Sequence, residues 1–132
     1  MKRFAIAAII GALVATAAPG KDPDAAKATS ISAVELHEER ASGAAPVVID
    51  VRTPDEYASG HIPGAVNIPF DQVTERIGEI DAPHGYALYC MVGPRARKGE
   101  SALLAAGYEK IFHLDGGLAA WQAAGLPVEG TH

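Results

Sequence analysis

The chain has 132 residues, eleven basic against sixteen acidic, and a net charge of −5 at neutral pH. That length suits one domain rather than two, and the acidic balance argues against a nucleic-acid or anionic-membrane partner. A single cysteine, Cys90, excludes an internal disulfide.

Lys2 and Arg3 precede an apolar run from Phe4 to Val14, and Ala15-Thr16-Ala17 has the small-residue spacing of a cleavage site. Residues 1–17 read as a signal peptide cut before Ala18, with export to the periplasm. An uncleaved anchor is the alternative, but the uncharged run reaches only Gly20, near the lower limit for a spanning helix, so no stable membrane span is expected. Cleavage removes Lys2 and Arg3 and takes the net charge to −7. Residues 18–28, rich in Ala, Pro, Asp and Lys, read as a flexible leader, and residues 29–132 as the folded domain.

Ser32-Ala33-Val34-Glu35 is a capping box, stapled by Ile31 and Leu36, that opens a helix ended by Gly43. The apolar run Val47-Val48-Ile49 leading into Asp50 suits a strand buried on both faces of a parallel sheet. Thr53-Pro54-Asp55-Glu56 opens a short helix, with Thr as N-cap and Pro at the first position. Ile62-Pro63-Gly64-Ala65 is a turn, and Val66-Asn67-Ile68 a short strand that stops at Pro69. Val73, Ile77 and Ile80 share one face of a further helix. Tyr86–Tyr89 is a strand. Residues 95–106 form a helix with Ala96, Gly99, Leu103 and Ala106 facing inward. A strand over 110–114 and a helix over 118–124, ended by Gly125, complete the chain. Strands alternating with helices imply an α/β fold with a mostly parallel sheet.

Ligands bind open parallel sheets beyond the carboxyl ends of the strands. Three loops occupy such ends: Asp50-Val51-Arg52, the loop after Cys90, and Asp115-Gly116-Gly117. Cys90 ends a strand and faces a helix start, where free N–H groups and the helix dipole favour a thiolate nucleophile. Met91, Val92 and Gly93 can line a nest of N–H groups around the sulfur, while Pro94 has no N–H to give and stiffens the loop. Arg95, Arg97 and Lys98 fall in the first helical turn, where cations oppose the dipole at ~0.3–1 kcal/mol each. A bound anion would offset that cost, which makes them candidate substrate-binding residues; a solvated basic face is the alternative. Asp50 and Arg52 are read as an ion pair supporting the active loop or as a purely structural pair. Gly116, with Gly117, allows close backbone approach beside that loop. His61 belongs to a turn, and Leu118 and Trp121 to the core. His37, His84, His113 and His132 lack metal-ligand spacing, so neither a metal nor a cofactor is expected.

Together these motifs resemble the single-domain rhodaneses. Asp50-Val51-Arg52 is similar to the family's D-V-R stretch. Glu56-Tyr57-Ala58-Ser59-Gly60-His61-Ile62-Pro63-Gly64-Ala65-Val66-Asn67-Ile68-Pro69 is similar to its E-[YF]-x-x-G-H-I-P-G-A-x-N-I-P signature. Cys90-Met91-Val92-Gly93-Pro94-Arg95 resembles the active loop C-x-x-G-x-R, and Gly116-Gly117-Leu118-Ala119-Ala120-Trp121 the closing G-G-x-x-x-W. With the signal segment, the chain resembles the small exported bacterial rhodaneses, including the phage-shock type. The resemblance implies a five-stranded sheet flanked by helices and a persulfide mechanism: Cys90 takes the sulfane sulfur of thiosulfate, releases sulfite, and passes the sulfur to cyanide or a thiol. An exported protein is a further candidate acceptor. Many family members carry a basic residue where this chain has Met91, which bears on donor preference. Rival readings are a sulfur carrier using the same persulfide, a rhodanese-like binding module, and a phosphatase or arsenate reductase. The last class uses a C-x5-R loop; here the spacing from Cys90 to Arg95 is C-x4-R, and the next position is Ala96.

Overall fold

A computed structural model describes residues 27–131; the expected signal peptide and all but the end of the leader lie outside the described residues. Five strands, β1 (Thr29–Ile31), β2 (Val47–Asp50), β3 (Val66–Asn67), β4 (Tyr86–Tyr89) and β5 (Ile111–Leu114), form one sheet in the order β1-β5-β4-β2-β3. Every pairing is parallel, so the sheet is wholly rather than mostly parallel. The helices are α1 (Ala33–Ser42), α2 (Pro54–Ser59), α3 (Val73–Arg76), α4 (Pro94–Ala105) and α5 (Gly117–Ala123).

Parallel strands need crossovers, and the crossovers cover both faces. On one face Leu36, Val48, Tyr89, Leu118 and Trp121 pack together beneath α1 and α5. On the other, Ile49, Val73, Leu88, Leu103 and Ile111 pack beneath α3 and α4. β4 is central and buried at all four residues. Its neighbours β2 and β5 run the same way, so all three deliver their carboxyl ends to one edge. Asp50, Cys90 and Asp115 emerge there.

The local signals act as read. Ser32 and Glu35 form a reciprocal capping box, and Gly43 ends α1 at φ +84°. Thr53 and Glu56 do the same for α2, with Pro54 in its first turn. Three details differ from the sequence reading. β1, which the sequence pattern does not mark as a strand, is a three-residue edge strand whose one strand partner among the described residues is β5. The stretch through Val73, Ile77 and Ile80 is not one helix but α3 between 3₁₀ turns at Phe70–Gln72 and Ile77–Glu79, with Gly78 weakening continuation; Val73 and Ile77 are still buried. α4 stops at Ala105, because Gly107 turns the chain at φ +96°, and this leaves Ala106 exposed. The fourth buried residue of α4 is instead Glu100, beside Ala96, Gly99 and Leu103.

Candidate active site

Cys90 leaves the end of β4 and is 1% exposed. Its Sγ accepts a hydrogen bond from the Gly93 N–H at 3.1 Å. The loop then turns directly into α4, which starts on Pro94; Pro lacks the N–H that would be unpaired there. Gly93 is the N-cap residue of α4, so its bond brings the start of that helix, where the dipole favours an anion, to the sulfur. Among the described residues, Gly93 is the loop residue that donates to Sγ, while Met91 and Val92, 38% and 57% exposed, form the outer lip.

The loop is clamped from the α5 side. Leu118 N–H donates to the Cys90 carbonyl at 2.9 Å, and Ala119 N–H to the Met91 carbonyl at 3.0 Å. This approach depends on Gly117: a Cβ there would stand 2.5 Å from the Cys90 carbonyl oxygen and 2.6 Å from that of Met91. Gly116 does not abut the loop in this way. It makes the left-handed turn at φ +73° that starts α5, and a Cβ there would meet Ala120.

The three cations of α4 have different surroundings. Arg95 is half-buried and pairs with Glu56, Nη1 to Oε1 at 2.7 Å and Nη2 to Oε2 at 3.1 Å. Those bonds raise its hold on its proton, with a smaller contribution from Cys90. Arg97 is exposed, 3.9 Å from Glu100 Oε1. The Lys98 ammonium lies 5.7 Å from the centre of the Phe70 ring.

Asp50 and Arg52 form a fully buried ion pair, Nη2 to Oδ2 at 2.7 Å. Burial is the largest influence and works against the Arg52 charge, but the Asp50 hydrogen bonds and charge, with Tyr89 and Glu56, together outweigh it and raise its pKa. The pair reaches the active loop through its neighbour: Tyr89 Oη donates to Asp50 Oδ2 at 2.7 Å and accepts from Ile62 N–H at 3.1 Å. Burial, then Asp50, pushes the Tyr89 hydroxyl far up, so it stays a donor. Arg52 Nη2 also donates to the Gly60 carbonyl, and Asn67 Nδ2 to the carbonyls of Asp50 and Arg52. The network ties the loop after β2, the end of α2 and the residue before Cys90 into one unit.

His61 is buried in its turn, donating from Nδ1 to the Tyr57 carbonyl at 2.7 Å and stacked on the Tyr57 ring. Among the described residues no cluster of His, Cys, Asp and Glu is suited to a metal. The sequence reading did not single out Glu56 as a partner of Arg95, Tyr89 as a partner of Asp50, or the buried pair of Glu100 and His113, 2.6 Å apart. Periodicity carried a signal for the last: Glu100 lies four residues after Ala96 on the inward stripe of α4, and His113 is two residues after Ile111 on the same face of β5.

Similarity to known proteins agrees with this geometry. A sulfurtransferase from Allochromatium vinosum is 35% identical over 82 residues, covering 62% of this chain and 77% of that protein. Thiosulfate sulfurtransferase 16, chloroplastic, from Arabidopsis thaliana is 32% identical, covering 61% of this chain and 78% of that protein. Among solved structures, the rhodanese-like domain of the Anabaena protein Alr3790 superimposes with a TM-score of 0.70 at 31% identity, covering 77% of this chain and 79% of that one. The family description "Rhodanese-like domain" matches residues 32–124, and the chain belongs to that family.

Proposed function

We propose that the protein is a sulfurtransferase that moves the sulfane sulfur of thiosulfate to cyanide or a thiol through a persulfide on Cys90. The observation that carries this reading is the Sγ of Cys90 held at a strand–loop–helix turn, with the Gly93 N–H 3.1 Å away. The Cys90 thiolate attacks the outer sulfur of thiosulfate. An S–S bond forms to Sγ, the bond to the sulfonate sulfur breaks, and sulfite departs with its electron pair. The extra sulfur of the persulfide carries a negative charge, which fixed N–H donors and the start of α4 stabilise. The acceptor then attacks that outer sulfur, the S–S bond breaks, and the thiolate returns. The role of the chain is to orient and stabilise; the chemistry needs no metal or cofactor.

The tight C-x4-R loop suits one sulfur atom better than a phosphate or arsenate, which supports this reading over a phosphatase. The intact nucleophile supports it over a binding module. The exposed Met91 and Val92 at the lip favour a thiol on another exported protein as a second acceptor class. The cleavage motif at Ala15 to Ala17 supports action in the periplasm.

Mass spectrometry of the mature protein after incubation with thiosulfate tests the reading. The expected result is a gain of one sulfur atom, removed by cyanide with production of thiocyanate, and absent in Cys90→Ser. Full turnover by the serine variant would overturn it.

A further inference from the structure

His113 lies on β5, in register with Ser30 of β1 on one side and Leu88 of β4 on the other. Its Nδ1 meets Glu100 Oε2 of α4 at 2.6 Å, and the two residues are 3% and 2% exposed. Burying two ionisable groups costs free energy that an apolar pair of the same size would not. The rest of the inward stripe of α4 (Ala96, Gly99 and Leu103) has no polar side chain. Core packing alone therefore does not account for the pair.

Its position does. Glu100 occupies Nδ1, which leaves Nε2, and among the described residues Nε2 has no hydrogen-bond partner. That edge of the ring points under the active loop: Nε2 and Cε1 are each 3.9 Å from where a Cβ on Gly93 would stand. Gly93 is the residue whose N–H donates to Cys90 Sγ.

We propose that Glu100 and His113 are a positioning pair for Cys90, a buried dyad that sets the charge and hydrogen-bond donor beneath the sulfur-carrying loop. This rests on the persulfide reading of the site. With one shared proton the dyad is neutral, whether the proton sits on the carboxyl or makes the imidazole cationic. Because Glu100 is bonded to Nδ1, Nε2 carries a hydrogen in both forms. When that proton leaves, Nδ1–H donates to a carboxylate, Nε2 is bare, and the dyad carries −1. Donor and charge change together, and both make the protonated dyad the form that favours an anionic sulfur above it.

Burial and charged neighbours act on the Glu100 carboxyl from several elements. Burial pushes the Glu100 carboxyl up, the His113 bond opposes this, and Asp115 adds a smaller push upward. Arg97 Nη1, 3.9 Å from Oε1, pulls the other way. Glu100 also lines a groove of about 490 Å³ between β1 and α4, with Lys27, Ser30, Arg97 and Ser101.

The single cysteine permits a direct test. Selective ¹³Cβ-cysteine labelling gives one resonance, whose pH titration reports the Cys90 thiolate without any sulfur donor. The titration is compared between wild type and two double variants, Glu100→Leu with His113→Leu and Glu100→Gln with His113→Asn. The apolar pair keeps the protein folded if the dyad is dispensable to the core; the polar pair serves if it does not. The expected result, in whichever variant folds, is a Cys90 midpoint moved to higher pH by about half a unit, roughly threefold less thiolate on the rising limb. A midpoint that coincides with wild type would overturn the proposal and leave the dyad a polar core pair. If wild type forms no persulfide with thiosulfate, the proposed function fails, while the titration still decides whether the dyad governs Cys90.

Discussion

Arg95 and Glu56 join the first turns of α4 and α2 through two parallel hydrogen bonds of 2.7 and 3.1 Å. The same Glu56 carboxylate accepts from the Thr53 N–H and hydroxyl, so one side chain both caps α2 and anchors the helix that follows the active loop. The Arg95 bonds, reinforced by Thr53, hold the Glu56 carboxyl down at about 2. Arg95 therefore meets the loop as a strut at its downstream end.

Glu56→Gln should destabilise the fold at neutral pH by about 1 kcal/mol, the sum of a weakened cap and a lost, half-exposed ion pair. A carboxyl depressed in the folded state contributes stability above the usual carboxylate range and loses it as pH falls through its folded value. The gap between wild type and variant should shrink as pH drops from 4.5 toward about 2. Thermal melts across that window measure it; a constant gap would show that the ion pair contributes nothing.

The local parts of this fold were legible because their determinants are neighbours in sequence. The capping boxes at Ser32 and Thr53, the Gly43 stop and the turn from β4 through Cys90 into α4 each need only a few adjacent residues. β1 was not legible because Thr29-Ser30-Ile31 becomes a strand only by docking on β5 near the other end of the chain. The pairs Arg95–Glu56, Tyr89–Asp50 and His113–Glu100 join elements distant in sequence, and their side-chain types admit many partners. What sequence could show was the burden they carry: a charge on the inward stripe of α4, and acids placed in strands and caps.

Surface cations act mainly on encounter with an anionic donor. At physiological ionic strength the Debye length is ~8 Å, so salt weakens that attraction. Neutralising Arg97 or Lys98 should raise the thiosulfate KM and flatten its salt dependence with little change in kcat. Arg95→Ala should lower kcat as well, because it frees the start of α4 from α2. Steady-state kinetics at low and high salt separate the two patterns. Unchanged kcat/KM in the Arg97 and Lys98 variants would make those side chains a solvated face.

Tyr89→Phe removes the hydroxyl that links Asp50 to the Ile62 N–H. Both groups are buried, so each loses a partner that water does not readily replace. The expected cost is ~1–3 kcal/mol, read as a lower denaturation midpoint with unchanged slope. A variant as stable as wild type would show that the Asp50–Arg52 pair stands without its link to β4.

Export predicts a mature N-terminus at Ala18 in protein recovered from a bacterial periplasm. N-terminal sequencing reads it directly. Full-length protein in the membrane fraction would favour the anchor reading instead.

The sharpest steric prediction concerns Gly117. At φ +59° it lies in the left-handed region, and the space its missing side chain leaves is filled by the Cys90 and Met91 carbonyls at 2.5 and 2.6 Å from a Cβ position. Those carbonyls accept the Leu118 and Ala119 N–H groups that hold the loop down. A methyl group cannot enter without moving backbone. Gly117→Ala should therefore cost ~1–3 kcal/mol of stability. Its larger effect should be on kcat, since shifting the Cys90 carbonyl by even a fraction of an ångström misaligns Sγ from the Gly93 donor. Gly116→Ala separates strain from loop displacement: its Cβ would press on Ala120 within α5, so it should destabilise by a similar amount with a smaller loss of kcat. Equal losses of kcat in the two variants would show that the clamp between α5 and the loop contributes nothing specific to sulfur transfer.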